Sequence, residues 1–466
     1  MVSIFSKDKS ISRVVIFNIC GRFVLQGISF FTTPIFTRLL SPTDYGITAV
    51  YMAWLSIFSL FIGLQSHGSI ANARIKYDKF QINAYFSSVI TLVVLSFFCV
   101  LLICVLFNSF IAQLLEIDNK LLIILIVHSF SSFVVTFYTV KWMQFKEVEK
   151  NIIFSFVVSI TTIILSFLLV SSLNKNKYLG KIYGSVIPQI ISAFIFLFLL
   201  YKKGRCLYNR DYWIYCLHLT LPLILHGAAG MILSQSDRIM LKKIIGEGSV
   251  GIYSVGYSLA LVIDLIWNAF NTSWLPYYYE DKKQKRIGSI LDRSNSYLFV
   301  FSSLTMGFIL LAPEVFKLLA PTSYWDGIKI IPFIALAYYF NFLYSFPANH
   351  EFFSEKTIFI SIGSLCAAAI NIIFNILLIP SYGIVGAAVA TLIGFIFSFI
   401  FHDIIARFIV KDFEYHFMFY IKGIVPVLCI TILYYNTLAV WFLRWGIGCI
   451  IGICLVTRII KKRSLF

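Results

Sequence analysis

Charged residues are scarce in this sequence. They make up 13% of its 466 residues, whereas 59% are apolar and the mean hydropathy is +0.88. A soluble domain of this size cannot bury that much apolar surface, so lipid must solvate most of the chain. The first residues, "MVSIFSKDKSISR", lack the apolar core of a cleaved secretory signal, and we expect the first apolar segment to be retained.

The sequence also lacks the motifs of metal, redox and nucleotide chemistry. Its nine cysteines lie mostly in apolar segments, without a C-x-x-C pair or a Cys/His cluster, so we expect packing residues and no metal site. It has no phosphate-cradling glycine loop, no nucleophile elbow and no long loop. These absences argue against an enzyme and against an ATP-driven pump, and no cofactor is expected.

What the sequence does contain is a series of long apolar runs. Since about 20 apolar residues cross a bilayer, the pattern predicts an all-α polytopic membrane protein with about 14 transmembrane helices. The short segments "IPSYG" and "YYNT" are expected to be tight turns between antiparallel helices. The predicted spans are approximately 13–39, 43–67, 82–107, 119–142, 151–173, 179–201, 212–240, 249–278, 291–313, 327–350, 358–379, 382–405, 417–436 and 438–459.

The charge distribution and an internal match predict how these spans are organised. With both termini in the cytoplasm, the inner loops hold more than twice as many lysines and arginines as the outer loops. Residues 36–60 match residues 241–265 at an offset of 205, with Gly46 over Gly251. Two six-helix bundles of like orientation around a central cavity are therefore expected. The predicted boundaries are 1–205, 206–410 and, for two further helices and a basic cytoplasmic tail, 411–466.

Span 1 carries a polar stripe. Asn18, Arg22, Gln26, Ser29 and Thr33 recur at helical spacing, opposite Phe, Val, Leu and Ile. Arg22 lies about 13 Å into the bilayer at 1.5 Å per residue. Such a residue is expected to face protein or a water-filled cavity, and the alternative is that it snorkels to the headgroups.

Span 8 carries a similar polar stripe with a negative charge, because Asp264, Asn268 and Asn271 fall at steps of four and three. Asp264 has two open interpretations: a coupling or gating carboxylate, or one partner of a structural ion pair. Further polar candidates are Gln65 and His67 at the end of span 2 and, as a titrating residue, His226 in span 7. His350 and Glu351 close span 10 and are expected at the headgroup level.

Two stretches carry a family resemblance. "TPIFTRLLSPTDYGITAVYMAWLSIFSLFIGLQSHGSIANARIKY" and "SDRIMLKKIIGEGSVGIYSVGYSLALVIDLIWNAFNTSWLPYYYE" resemble the Wzx-type polysaccharide-repeat flippases. These belong to a superfamily that also holds lipid II flippases and multidrug and toxin extruders. The segment "LIPSYGIVGAAVATLIG" is similar to the start of span 12 in that family.

The resemblance implies a flippase that moves undecaprenyl-pyrophosphate-linked oligosaccharide, with O-antigen repeat units the first choice, to the outer leaflet of the cell inner membrane. It implies alternating access, proton or sodium coupling, and a polymerase and chain-length regulator as partners, without nucleic acid. Arg22, Asn18 and Gln26 would then meet the pyrophosphate, because arginine binds phosphate bidentately. Sugar hydroxyls would meet Gln65, His67, Asn268 and Asn271, while Asp264 and His226 would serve coupling or gating.

Three other functions compete with this one. A drug/cation antiporter of the same superfamily would need an acidic and aromatic cavity. A membrane-embedded O-antigen polymerase or glycosyltransferase would need a sizeable external loop, and none is predicted. A purely structural membrane protein would not need polar stripes.

Overall fold

The computed structural model describes residues 32–78 and 80–462, apart from the side chains of residues 225, 226 and 462. Every regular element in these ranges is helical, which confirms the predicted all-α fold. Twelve of the described helices are long and apolar enough to cross a membrane. One of these covers both span 11 and span 12, and predicted span 1 lies mostly outside the described residues. The remaining predicted spans each have one counterpart.

The helices are numbered here in chain order. They are α1 Pro42–Gly63, α2 Ile70–Lys76, α3 Gln81–Leu106, α4 Asn108–Leu115, α5 Asn119–Gln144, α6 Val148–Ser172, α7 Lys177–Gly204, α8 Arg210–Ile244, α9 Glu247–Lys283, α10 Ile287–Leu319, α11 Ile331–Phe353, α12 Ile358–Ile404, α13 Phe417–Asn436 and α14 Trp441–Lys462. Short 3₁₀ segments cover Ser66–Ser69 and Thr322–Ile330, and a π-helical turn covers Ile405–Val410.

The predicted tight turns are present. Inside α12, Gly383 breaks the helical backbone with φ +59° and ψ −133°, a conformation that glycine adopts at little steric cost. The element is therefore two helices joined at the last residue of "IPSYG". The second turn follows Asn436, where α13 ends and α14 begins at Trp441.

The chain divides into two compact units, Met1–Met231 and Ile232–Phe466. In the first unit α6 packs on α7, and α5 packs on both α1 and α7. In the second unit α11 packs on α12 and α9, while α10 packs on the two C-terminal helices. The internally matched residues occupy the same place in each unit, because Gly46 and Gly251 both lie in the first turns of a long helix, α1 and α9.

The helices differ in what their exposed sides carry. Six large apolar side chains of α6 are exposed, including Phe156, Ile164 and Phe167, as expected for contact with acyl chains. Along α9 the exposed side carries Asn268, Thr272 and Ser273, and Tyr277 is the only large hydrophobic residue among the exposed side chains described for that helix. Polar side chains are costly against lipid, so the open side of α9 is unsuited to face acyl chains.

Candidate functional site

The polar side of α9 is the centre of the candidate site. Tyr257, Asp264, Asn268 and Asn271 are spaced by seven, four and three residues, which places them on one helical face. The stripe is about 21 Å long at 1.5 Å per residue. Three of its four members are the residues that the sequence singled out, and their role in transport stays a prediction.

Asp264 is held by amide groups. The Asn268 Nδ2 atom donates to Asp264 Oδ2 at 3.1 Å and to the Asp264 carbonyl oxygen at 2.9 Å. The Asn341 side chain of α11 also hydrogen-bonds with this carboxylate. Asp264 is half-buried and Asn268 is exposed. No ion pair reaches Asp264 among the described residues, so within the described part of the chain the structural ion-pair interpretation has no partner.

Helix α11 packs beside the stripe and hydrogen-bonds with it. Asn349 Nδ2 donates to Asn271 Oδ1 at 3.3 Å, and the Tyr338 hydroxyl donates to the Tyr257 hydroxyl at 2.8 Å. These cross-helix bonds fix the rotation of α9 relative to α11. The stripe is therefore a preorganised row of hydroxyl, carboxylate and amide groups, which is chemistry suited to hydrogen-bonding sugar hydroxyls.

Near the end of α8 lies a buried carboxylate that sequence reasoning did not single out. Asp237 is 0% exposed. It accepts hydrogen bonds from the Tyr253 hydroxyl at 2.6 Å, the Thr391 hydroxyl at 2.6 Å and Asn375 Nδ2 at 2.7 Å. A longer contact of 3.5 Å comes from Asn371 Nδ2. All four donors are neutral, and the carboxylate makes no ion pair within the described ranges.

The Asp237 cluster also contains unused acceptor capacity. Asn375 Oδ1 is buried without a hydrogen-bond partner. Ser236 donates to Asn371 Oδ1 at 2.8 Å, and Asn375 Nδ2 shares that acceptor at 3.1 Å. The sequence signal for this cluster was available: two asparagines four residues apart in an apolar helix, "NIIFN", share one face.

A second buried titratable pair joins α11 to α12. His402 Nδ1 lies 2.8 Å from Glu351 Oε1, and both side chains are 0% exposed. Glu351 Oε2 and His402 Nε2 have no hydrogen-bond partner. Glu351 is buried against α12, and its expected level at the headgroups stays a prediction.

In the first unit, Gln65 and His67 lie where α1 gives way to the Ser66–Ser69 turn. Gln65 adopts a left-handed backbone with φ +49°, and its amide packs on Gly227, where an added Cβ would lie 2.4 Å from Gln65 Nε2. His67 packs on the Phe133 ring with centroids 5.7 Å apart, and its Nδ1 atom is buried without a partner. Burial lowers the pKa of His67, which favours the neutral imidazole.

Four other predicted residues cannot be placed. Asn18, Arg22 and Gln26 lie outside the described residues, and so does the side chain of His226. Their predicted roles remain predictions. Among the described residues no group of three or more His, Cys, Asp or Glu side chains is arranged to hold a metal ion.

Comparisons with known proteins place the chain in a family. Residues 11–280 match the family model described as "Polysaccharide biosynthesis protein". A protein of the Lsg locus of Haemophilus influenzae is 26% identical over 269 residues, which are 56% of this chain and 64% of that protein. An uncharacterized membrane protein of the same organism is 24% identical over 416 residues, covering 82% of this chain and 94% of the relative.

Among solved structures, the lipid II flippase MurJ in an inward closed conformation superposes with a TM-score of 0.71. It is 16% identical in sequence and the match covers 96% of this chain and 99% of that one. At this identity the likeness establishes the fold, which is shared by transporters of the MOP superfamily. MurJ is a flippase, and the other two superposed structures are transporters. The family model covers more than half of the sequence, so the chain belongs to the polysaccharide biosynthesis protein family.

Proposed function

We propose that the protein flips an undecaprenyl-pyrophosphate-linked oligosaccharide, such as an O-antigen repeat unit, from the cytoplasmic to the outer leaflet of the cell inner membrane. Family membership supports a role in polysaccharide biosynthesis, and the fold supports transport. The transport cycle is alternating access, in which the substrate shifts the populations of two conformations by binding them unequally. Both termini are proposed to be cytoplasmic.

The observation that carries this proposal is the polar open side of α9. A sugar chain cannot cross hydrocarbon without replacing its hydrogen bonds to water, because each polar group left without a partner there costs roughly several kcal/mol. Tyr257 is buried, whereas Asp264, Asn268 and Asn271 are exposed or half-buried and supply both donors and acceptors over about 10 Å. Asn341 and Asn349 of α11 add amide groups that hydrogen-bond with Asp264 and Asn271 of the stripe.

Ion coupling is proposed at the buried carboxylates. Asp237 is enclosed by neutral donors, and a carboxylate without a cationic partner is costly to bury. A small monovalent cation bound beside the carboxylate would balance that charge. Asp264 is the alternative coupling or gating residue, because it is half-buried on the open side of α9. His226 remains a further candidate from the sequence.

A drug/cation antiporter is the competing function. The half-buried Asp264 carboxylate on a polar face is the feature that favours it, since such a group would attract a cationic substrate. Deleting the gene distinguishes the two functions, because lipid-linked oligosaccharide accumulates only when a flippase is lost.

The experiment is complementation of a deletion strain. Loss of a flippase should cause labelled lipid-linked oligosaccharide to accumulate in the inner leaflet and surface polysaccharide to disappear, with drug sensitivity unchanged. The wild-type gene should restore export and Asn268→Ala should restore it poorly. The matched control is Asn436→Ala, because Asn436 is also an exposed helical asparagine whose amide bonds the carbonyl four residues earlier, at 2.9 Å. Normal surface polysaccharide in the deletion strain contradicts the proposal.

A further inference from the structure

Arg238 is a cation of the second unit to which the proposed function assigns no role. It lies near the end of α8, directly after the buried Asp237, and it is half-buried. Its guanidinium carbon is 4.6 Å from the centroid of the Tyr257 ring. Its Nη1 atom donates to the Ser234 carbonyl oxygen at 2.7 Å and to Gln235 Oε1 at 3.3 Å. These partners are neutral.

Two other arginines in the spans of this unit have carboxylate partners, whereas Arg458 of α14 stacks on Phe299 and has none among the described residues. Arg407 Nε lies 2.6 Å from Asp403 Oδ2, and Arg444 pairs with Glu314. No carboxylate lies within 4.0 Å of the Arg238 guanidinium among the residues that the structure describes. A half-buried guanidinium without a carboxylate partner has charge and N–H groups to offer an anion, and an ionisable residue in an apolar helix is a candidate functional group.

The surroundings hold Arg238 in place. Asp237 anchors this part of α8 to α9 and α12 through Tyr253, Thr391 and Asn375. The Tyr257 ring beneath the guanidinium is itself fixed by the bond from the Tyr338 hydroxyl. Binding an anion here would require little reordering, and that lowers the entropic cost of binding.

Arg238 lies at one end of the polar stripe on α9. Tyr257 is the first member of that stripe, so the guanidinium sits at one end of the row that continues through Asp264 and Asn268. A ligand that carries an anionic group next to a sugar chain would match this order, with the anion on Arg238 and the hydroxyls along α9.

We infer that Arg238 binds the diphosphate of the lipid-linked sugar, an inference that rests on the proposed function. The planar guanidinium presents two parallel N–H groups to two phosphoryl oxygens, which an ammonium group cannot reproduce. A phospholipid headgroup offers similar phosphate chemistry, and the diphosphate is preferred because it carries more charge and lies beside the sugar.

The test measures binding of undecaprenyl diphosphate to the purified full-length chain in phosphatidylcholine nanodiscs. Arg238→Ala should weaken binding by about tenfold or more, the size expected for a lost charge-assisted hydrogen bond. Arg238→Lys should recover only part of the loss. Undecaprenyl monophosphate and phosphatidylglycerol should compete weakly.

The matched control is Arg458→Ala, because Arg458 also stacks on an aromatic ring of this unit, with its guanidinium carbon 4.0 Å from the centroid of Phe299. That variant should bind undecaprenyl diphosphate as the wild type does. Thermal unfolding of each variant identifies loss of fold, and Arg238→Gln replaces Arg238→Ala if the alanine variant unfolds.

Equal affinity of wild type and Arg238→Gln for undecaprenyl diphosphate would overturn the inference, and so would equal competition by phosphatidylglycerol. Neither result would affect the proposed function, which the complementation experiment tests without any Arg238 variant. Conversely, normal export in the deletion strain would refute flipping even if Arg238 bound the diphosphate.

Discussion

Asn375 donates a hydrogen bond of 2.7 Å to the carboxylate of Asp237, joining α12 to α8 inside the second unit. Two hydroxyl groups complete the cluster, and the carboxylate is fully buried. An acceptor with neutral donors on several sides is stable only while its charge is balanced or neutralised. This cluster therefore offers the clearest test of ion coupling.

The variant Asp237→Asn is expected to abolish export and to lower the free energy of unfolding by about 1–3 kcal/mol, because a donor then faces the existing donors. Thermal unfolding and the accumulation of lipid-linked oligosaccharide measure the two effects. The control is Asp326→Asn, a surface carboxylate that pairs with Lys329 and is 66% exposed. Wild-type export from Asp237→Asn would remove this residue from the coupling mechanism.

The variant Asp264→Asn tests whether Asp264 rather than Asp237 serves ion coupling. The substitution keeps the size of the side chain and removes its charge, so the stripe on α9 should stay folded. If Asp264 carries the coupling ion or gates the passage, initial transport rates in proteoliposomes should fall at least tenfold and lose their dependence on an imposed ion gradient. A gradient-dependent rate equal to that of the wild type would leave Asp237 as the better candidate.

The Glu351–His402 pair is expected to be structural. Removing one partner of a buried pair costs about 3–5 kcal/mol, because the other is left buried without compensation. Glu351→Gln should therefore lower thermal stability strongly while the export rate per folded molecule is retained. Glu355→Gln, at a nearby exposed position, serves as the control. Loss of export without loss of stability would instead assign the pair a role in proton transfer.

Acidification should destabilise the first unit through His67. Burial lowers the pKa of its imidazole, so the unfolded chain takes up this proton at a higher pH than the folded chain does. Stability from this group is complete above the ordinary pKa of about 6.5 and declines as the pH falls below it. Thermal unfolding between pH 7.5 and 5 measures the decline. His67→Gln should show a smaller decline, and an identical pH profile would exclude His67 as its source.

Much of the fold could be predicted from hydrophobic periodicity. The lengths of the apolar runs gave the helices because a bilayer demands about 20 apolar residues per crossing. The turn at Gly383 was predictable from "IPSYG", since glycine punctuates apolar helices. The stripe on α9 could also be predicted, because Asp264, Asn268 and Asn271 repeat at helical spacing.

Contacts between distant parts of the chain were not predictable in this way. Asp237 and Thr391 are 154 residues apart, and no single-helix pattern indicates that they meet. Glu351 lies at a helix end in the sequence, yet packing against α12 buries its side chain completely. Whether a polar residue in a span is exposed or paired is decided by its neighbours on other helices.

The most direct test of the account is whether water reaches the open side of α9. In a chain whose nine cysteines are replaced, Asn268→Cys should react with a membrane-impermeant maleimide added to either side of the membrane in turn. Phe167→Cys on the apolar exposed side of α6 should not react. Labelling of Asn268→Cys, blocked by lipid-linked oligosaccharide, is the predicted result. If Asn268→Cys resists labelling from both sides, as Phe167→Cys does, the open side of α9 faces acyl chains. The proposal that the sugar chain moves along this side is then wrong.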